Sequence, residues 1–198
     1  MDRTALIGIA SALALCPAFA GAQSPAPAAA AGPSIAHTTE TTPRFRFLGG
    51  PSNSDIAWSM NGEEVVQKIG LEDPAGQISA AVAGAIAKRK SGRVLDGVPG
   101  SAGRPDLTVQ VGTTEWSAGF FRPAVRPTYS VLYAAELTVA DATGKVVKTA
   151  KCQVNPDEEV SAGGNDEFLA HKGRLLKQWL SKAAESCQGT FVQKTKDL

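Results

Sequence analysis

The chain has 198 residues, 43% of them hydrophobic and 20% charged, with 20 Lys and Arg against 19 Asp and Glu for a net charge of +1. A balance this close to neutral excludes a global field that draws the protein to nucleic acid or to an anionic membrane. The length suits one domain plus a tail, and no apolar run after the first is long enough to span a bilayer.

The first 22 residues read as a secretory signal. Met1-Asp2-Arg3 precedes an apolar run from Ala5 to Leu15, which is too short for a transmembrane helix. Ala18-Phe19-Ala20 and Ala20-Gly21-Ala22 both satisfy the small-x-small rule, and the cut after Ala22 is preferred. Leu13-Ala14-Leu15-Cys16 offers a rival route, lipidation at Cys16, although Leu15 is bulkier than the residue such a site accepts. Either route exports the chain to the periplasm, with anchoring at the outer membrane if Cys16 carries lipid.

Residues 23–43 are rich in Ala, Pro and Thr and hold almost no bulky apolar residue, so a disordered tether is expected, with His37 inside it. A single folded domain is expected over 44–198. Arg44-Phe45-Arg46-Phe47-Leu48 alternates with period two, as a strand does, and Gly49-Gly50-Pro51 stops it. Trp58 and Met60 are expected to be buried, Asn61-Gly62 marks a turn, and Glu63 to Ile69 suits a short helix. Asp73-Pro74 opens a helix in which Ile78, Val82, Ala85, Ile86 and Arg89 follow helical spacing on one face. Lys88-Arg89-Lys90 suits its last turn and Ser91-Gly92 ends it.

Arg93-Val94-Leu95 suits a minor strand, and 96–105 is a Gly/Pro-rich loop. A strand over 106–116 places Leu107, Val109, Val111 and Thr113 on one face. The strongest alternation, over 128–141, aligns Tyr129, Val131, Tyr133, Ala135, Leu137 and Val139. Asp141-Ala142-Thr143-Gly144 turns it into a strand over 145–154, giving an antiparallel hairpin. After a polar loop, Asn165 or Asp166 caps a long helix to about Cys187, with Leu169, Gly173, Leu176, Leu180, Ala183 and Cys187 as its core stripe. The order β-α-β-β-β-α predicts an α+β two-layer sandwich: a mostly antiparallel sheet of about four strands with two helices on one face.

Cysteine arithmetic adds a constraint. Cys16 leaves with the signal or becomes an anchor, so Cys152 and Cys187 remain as a pair in an oxidising compartment and a disulfide is expected. Closing a loop of about 35 residues, it is worth ~3.8 kcal/mol in the chain-entropy model.

The stretch 116–127 is the leading contact surface. It is long for a loop between paired strands, and it carries Trp116, Phe120, Phe121, Arg122 and Arg126. The two Phe either fold back over the sheet or meet a partner, and the two Arg suit phosphate or carboxylate. Lys88-Arg89-Lys90 with Arg93 and Arg104 is a second basic cluster, either a solvated helix end or a site for an anionic glycan or lipid headgroup. The acidic residues from Asp157 to Glu167 lack calcium-loop spacing, so no metal or cofactor is expected. Catalytic motifs are missing from the sequence, and His171 falls on a helix where the neighbouring Lys172 and Arg174 indicate a polar face. Glu115 and Glu136 are the strand-borne acids a hydrolase would need.

The layout resembles the lipopolysaccharide-assembly lipoproteins and the auxiliary lipoproteins of lipid-transport ABC systems. The features carrying the resemblance are the export signal, the helix opened by Asp73-Pro74, the strand entry Pro105-Asp106-Leu107-Thr108-Val109, the hairpin Asp141 to Lys145 and the closing helix to Cys187. The cysteine pair is not part of it. The resemblance implies a non-enzymatic role assisting a transporter or an outer-membrane assembly machine. The expected function is an envelope binding or assembly accessory whose partner is an envelope protein. A module for an anionic glycan or lipid is the second reading, and an unrecognised periplasmic hydrolase the third.

Overall fold

The computed structural model describes residues 32–40, 42–48, 62–95, 104–122, 128–155, 160–161 and 169–198, all within the compact unit Ala31–Leu198. The expected signal peptide, Trp58, Met60 and the acidic segment with Asn165 and Asp166 lie outside the described residues.

The central hairpin follows directly from alternation. Strands β4 (Leu107–Arg122) and β5 (Thr128–Asp141) pair antiparallel from Leu107↔Asp141 to Arg122↔Thr128. On β5 the expected face, Tyr129 through Val139 at odd positions, is buried throughout, while Ser130 to Ala140 at even positions remain half-buried. β6 (Val146–Val154) continues the meander antiparallel to β5. The turn between them is held by Asp141, whose Oδ1 accepts from the Thr143 amide at 2.8 Å and hydroxyl at 2.5 Å, with Gly144 at φ 86. The Thr143 hydroxyl is the main reason the Asp141 carboxyl sits below its ordinary pKa.

Each outer side of this hairpin is flanked by a broken strand. β1 (Ser34–Thr39) and β2 (Arg46–Leu48) lie end to end and parallel along β4, and β3 (Arg93–Leu95) pairs parallel with β1. The short β7 (Val160–Ser161) follows β6 along β5. The sheet is therefore seven-stranded and mixed, in the order β3-β1-β4-β5-β6 with β2 and β7 beside it, rather than four-stranded and mostly antiparallel. β1 corrects the expected tether. Residues 34–39 carry only one bulky apolar side chain, Ile35, and become a strand because both edges are taken, by β3 and by β4.

Among the described residues three helices complete the second layer: α1 (Gly62–Ile69), α2 (Ala75–Arg89) and α3 (Ala170–Lys194). α2 presents Ile78, Val82, Ala83 and Ile86 to the core. Ser79 is also fully buried there, and its hydroxyl lies 2.9 Å from the Thr38 carbonyl and 3.2 Å from that of Val109, which seats the helix on β1 and β4. α3 runs two turns past the expected end and buries Phe191 and Thr195 completely. Near its start His171, Lys172 and Gly173 are left-handed, so the regular helix opens at Arg174. Gly173 has φ 70 and a Cβ there would stand 2.5 Å from Ile69 Cδ1, so a larger residue would be strained and would displace Ile69 of α1. The expected disulfide is present: Cys152 of β6 is bonded to Cys187 of α3, with Cα atoms 5.4 Å apart.

Candidate functional site

The structure splits the expected contact loop. β4 continues past Trp116 to Arg122, so only 123–127 separate it from β5. The reason is a bulge. The register shifts between Thr113 and Glu115, and the buried parity moves from Val109, Val111 and Thr113 to Trp116 and Ala118. A period-two pattern read from the sequence breaks there although the strand does not. Trp116 is accordingly a core residue, 5% exposed. Its indole N–H donates to the Pro43 carbonyl at 2.6 Å, and its ring meets Phe45 edge-on with centroids 5.0 Å apart. It lines a shallow cleft of about 270 Å³ with Pro43, Arg44, Phe45, Glu63 and Gln67.

Phe120, Phe121 and Arg122 belong to β4 by backbone, their side chains lie outside the described residues, and so does Arg126 altogether. Arg122 stands at the far end of β4 from Leu107, on the order of 50 Å along the strand. The basic cluster at 88–93 lies at the Leu107 end, because Arg93 pairs with Ser34 and Ile35 pairs with Leu107. The Arg122 backbone and the 88–93 cluster therefore stand at opposite ends of β4. Glu115 is engaged by Arg46, and Glu136 by Lys151 at 3.5 Å. His171 is exposed on the left-handed turn.

A polar constellation that the sequence reading did not single out sits at the start of α2. The Thr113 hydroxyl donates to Asp73 Oδ1 at 2.6 Å, so the Tyr133 hydroxyl, 3.0 Å away, donates to Thr113. Thr42 donates to Asp73 Oδ2 at 2.5 Å, and the Ala75 amide to Oδ1 at 3.0 Å. Asp73 thus caps α2 from one residue before Pro74 and ties β4, β5 and the β1–β2 connection to it. The only sequence signal for this was Asp73-Pro74. Tyr133 is fully buried, and that burial pushes its phenol pKa well above the ordinary value. Asp73 also borders a cleft of about 410 Å³ with Leu71, Glu72, Gln77, Lys177 and Ser181. With three donors satisfied at once, the carboxylate is a structural clamp. Asp73→Ala is expected to cost about 2 kcal/mol, through the lost cap and two stranded hydroxyls. Tyr133→Phe should cost about 1 kcal/mol or less, since Thr113 keeps its acceptor. Urea unfolding of both variants checks the order, and equal costs would show that the Asp73 links are not the main tie.

No protein-family model and no curated protein matches the chain. Solved structures that are similar include the hypothetical protein CT253 from Chlamydia trachomatis (9% identity, 81% of this chain and 98% of that one, TM-score 0.34). A minor lipoprotein from Acinetobacter baumannii matches at 6% identity over 81% of this chain and 90% of its own, with a TM-score of 0.38. The lipoprotein GNA1162 from Neisseria meningitidis matches at 14% identity over 77% and 99%, with a TM-score of 0.27. All three TM-scores lie below 0.5, a level that transfers neither a family nor a residue role.

Proposed function

We propose that the chain is an exported, non-enzymatic accessory of the bacterial envelope that binds or assembles with an envelope partner, as the resemblance to lipopolysaccharide-assembly lipoproteins implies. The observation that carries this reading is the Cys152–Cys187 bridge between the sheet and α3. Such bridges form and persist in oxidising compartments, and the chain opens with an export signal. The non-enzymatic part is supported by how the polar groups are used: Asp73 clamps α2, and Glu115 and Glu136 hold cations.

Intact mass of the chain recovered from fractionated cells tests the reading. The expected product is processed and gains two alkylated thiols only after reduction. A free terminus at Gln23 or Gly21 in the soluble fraction makes it a diffusible periplasmic protein, and an acylated Cys16 in the membrane fraction makes it an anchored one. An unprocessed cytosolic chain whose thiols alkylate without reduction would overturn the proposal.

A further inference from the structure

We propose that one end of the sandwich, where β1 begins and β5 turns into β6, docks on an anionic phospholipid surface, with Val146 and Val147 as its apolar tip. This deepens the envelope reading and rests on it, since that is where the protein would meet a lipid leaflet.

Five chain segments converge at this end. Ser34 pairs with Arg93, the Asp106 amide donates to the Ser34 carbonyl at 2.9 Å, and Leu107 pairs with Asp141 before the turn to Lys145. The α3 terminus is tied in from two sides: Arg89 donates to the Thr195 carbonyl at 2.8 Å, and Lys148 meets Asp197 at 2.5 Å. The convergence gathers Lys88, Lys90, Arg104, Lys145, Lys194 and Lys196, all exposed and none in an ion pair among the described residues.

The acids at this end are already committed. Asp106 accepts from the Ser34 amide and hydroxyl, Asp141 holds its turn, and Asp197 holds Lys148. All three carboxyls sit below their ordinary pKa, the first chiefly through the Ser34 amide, the second through Thr143 and the third through Lys148. The three stay ionised, yet nine cations, Lys88, Arg89, Lys90, Arg93, Arg104, Lys145, Lys148, Lys194 and Lys196, outnumber them, so a chain whose net charge is only +1 concentrates positive charge on this end.

Two further observations select a membrane over a soluble polyanion. Val146 and Val147, 52% and 40% exposed, are the exposed large hydrophobic residues among those described, and they stand between Lys145 and Lys148. Aliphatic side chains set among cations gain by entering the acyl boundary while the ammonium groups stay with the headgroups. An acidic polysaccharide offers them no such burial. The chain also enters the fold here: Pro33 precedes β1, and its carbonyl accepts from the Arg93 amide at 3.0 Å. Among the described residues no helix is long and apolar enough to cross a membrane, so the contact is peripheral.

The test uses the exported chain carrying Cys16→Ser, so that no acyl group is attached, with its terminus verified by mass. It is co-sedimented with vesicles of equal parts phosphatidylcholine and phosphatidylglycerol, and with phosphatidylcholine alone. Binding is expected only to the anionic vesicles, weakening steeply as salt rises. Replacing Lys88, Lys90, Arg104, Lys194 and Lys196 by Gln should weaken it roughly 100-fold or more, at around 5-fold per cation. Val146→Ser with Val147→Ser should weaken it roughly 10-fold with the salt dependence unchanged. The salt titration needs no variant, so a misfolded variant leaves the test intact. Equal binding to neutral vesicles, salt-insensitive binding, or retention of alginate in solution with no vesicle binding would overturn the proposal, the last in favour of an acidic glycan. Because sedimentation reads purified protein, its failure leaves the export measurement standing. An unexported chain that binds anionic vesicles would overturn only the envelope reading.

Discussion

Replacing both Cys152 and Cys187 with alanine is expected to lower stability by ~3.8 kcal/mol from loop entropy alone, for the 35-residue separation the bridge spans. For a domain of this size that corresponds to a melting point lower by about 8–15 °C. The bridge joins the C-terminal part of β6, on the outer side of the hairpin, to the second half of α3, and so closes the helical layer onto the sheet. Cys187 is fully buried and Cys152 nearly so, which adds a small packing loss to the entropy. Thermal melts with and without reductant check this. The parent should fall toward the variant when reduced, and the double variant should not respond. A parent that melts identically under both conditions would mean that the bridge restrains nothing the fold does not already restrain.

Phe191→Ala should cost about 3–5 kcal/mol, the range for emptying a buried aromatic site. Phe191 is fully buried in the last turns of α3. Its carbonyl accepts the Thr195 amide and hydroxyl, each at 3.0 Å, and Thr195 in turn receives Arg89 from α2. Losing the ring thus loosens the junction of both helix ends as well as the core beneath them. Denaturant unfolding measures the cost. A loss of less than about 1 kcal/mol would place the last two turns outside the cooperative core.

These two expectations differ in how visible they were in the sequence. The bridge was legible because the expected export signal sets Cys16 apart from the other two of three cysteines, leaving one pairing, and because the core stripe of α3 already ran through Cys187. Phe191 was not. Gln188-Gly189-Thr190-Phe191-Val192 has a glycine and two β-branched residues, which locally favour strand or turn. Burial of Phe191 against the core overrides that preference. β1 is the same lesson in reverse, since Ser34-Ile35-Ala36-His37-Thr38-Thr39 is polar by composition yet has both edges paired. The site divides likewise. Trp116 drew attention as a loop aromatic and proves to be core, because one bulge moves the buried face of β4 to the even positions. The cations at 88–93 were legible as a cluster, whereas Lys194 and Lys196 join them only because α3 returns to that end.

Alternation with strict period two determined β5, and with it the hairpin, the layer order and the α+β class. Asp73-Pro74 determined where α2 begins, and the cysteine count determined the bridge. These are local or countable properties, carried by residues close together or few in number. Tertiary structure alone decided strand β1, the parallel pairing of β1 and β2 with β4, the polar clamp of Asp73, Thr113 and Tyr133, and the concentration of charge at one end. Each depends on partners 20 to 106 residues apart, which meet only after the sheet has formed, and the preferences of a single short segment are too weak to announce such a meeting.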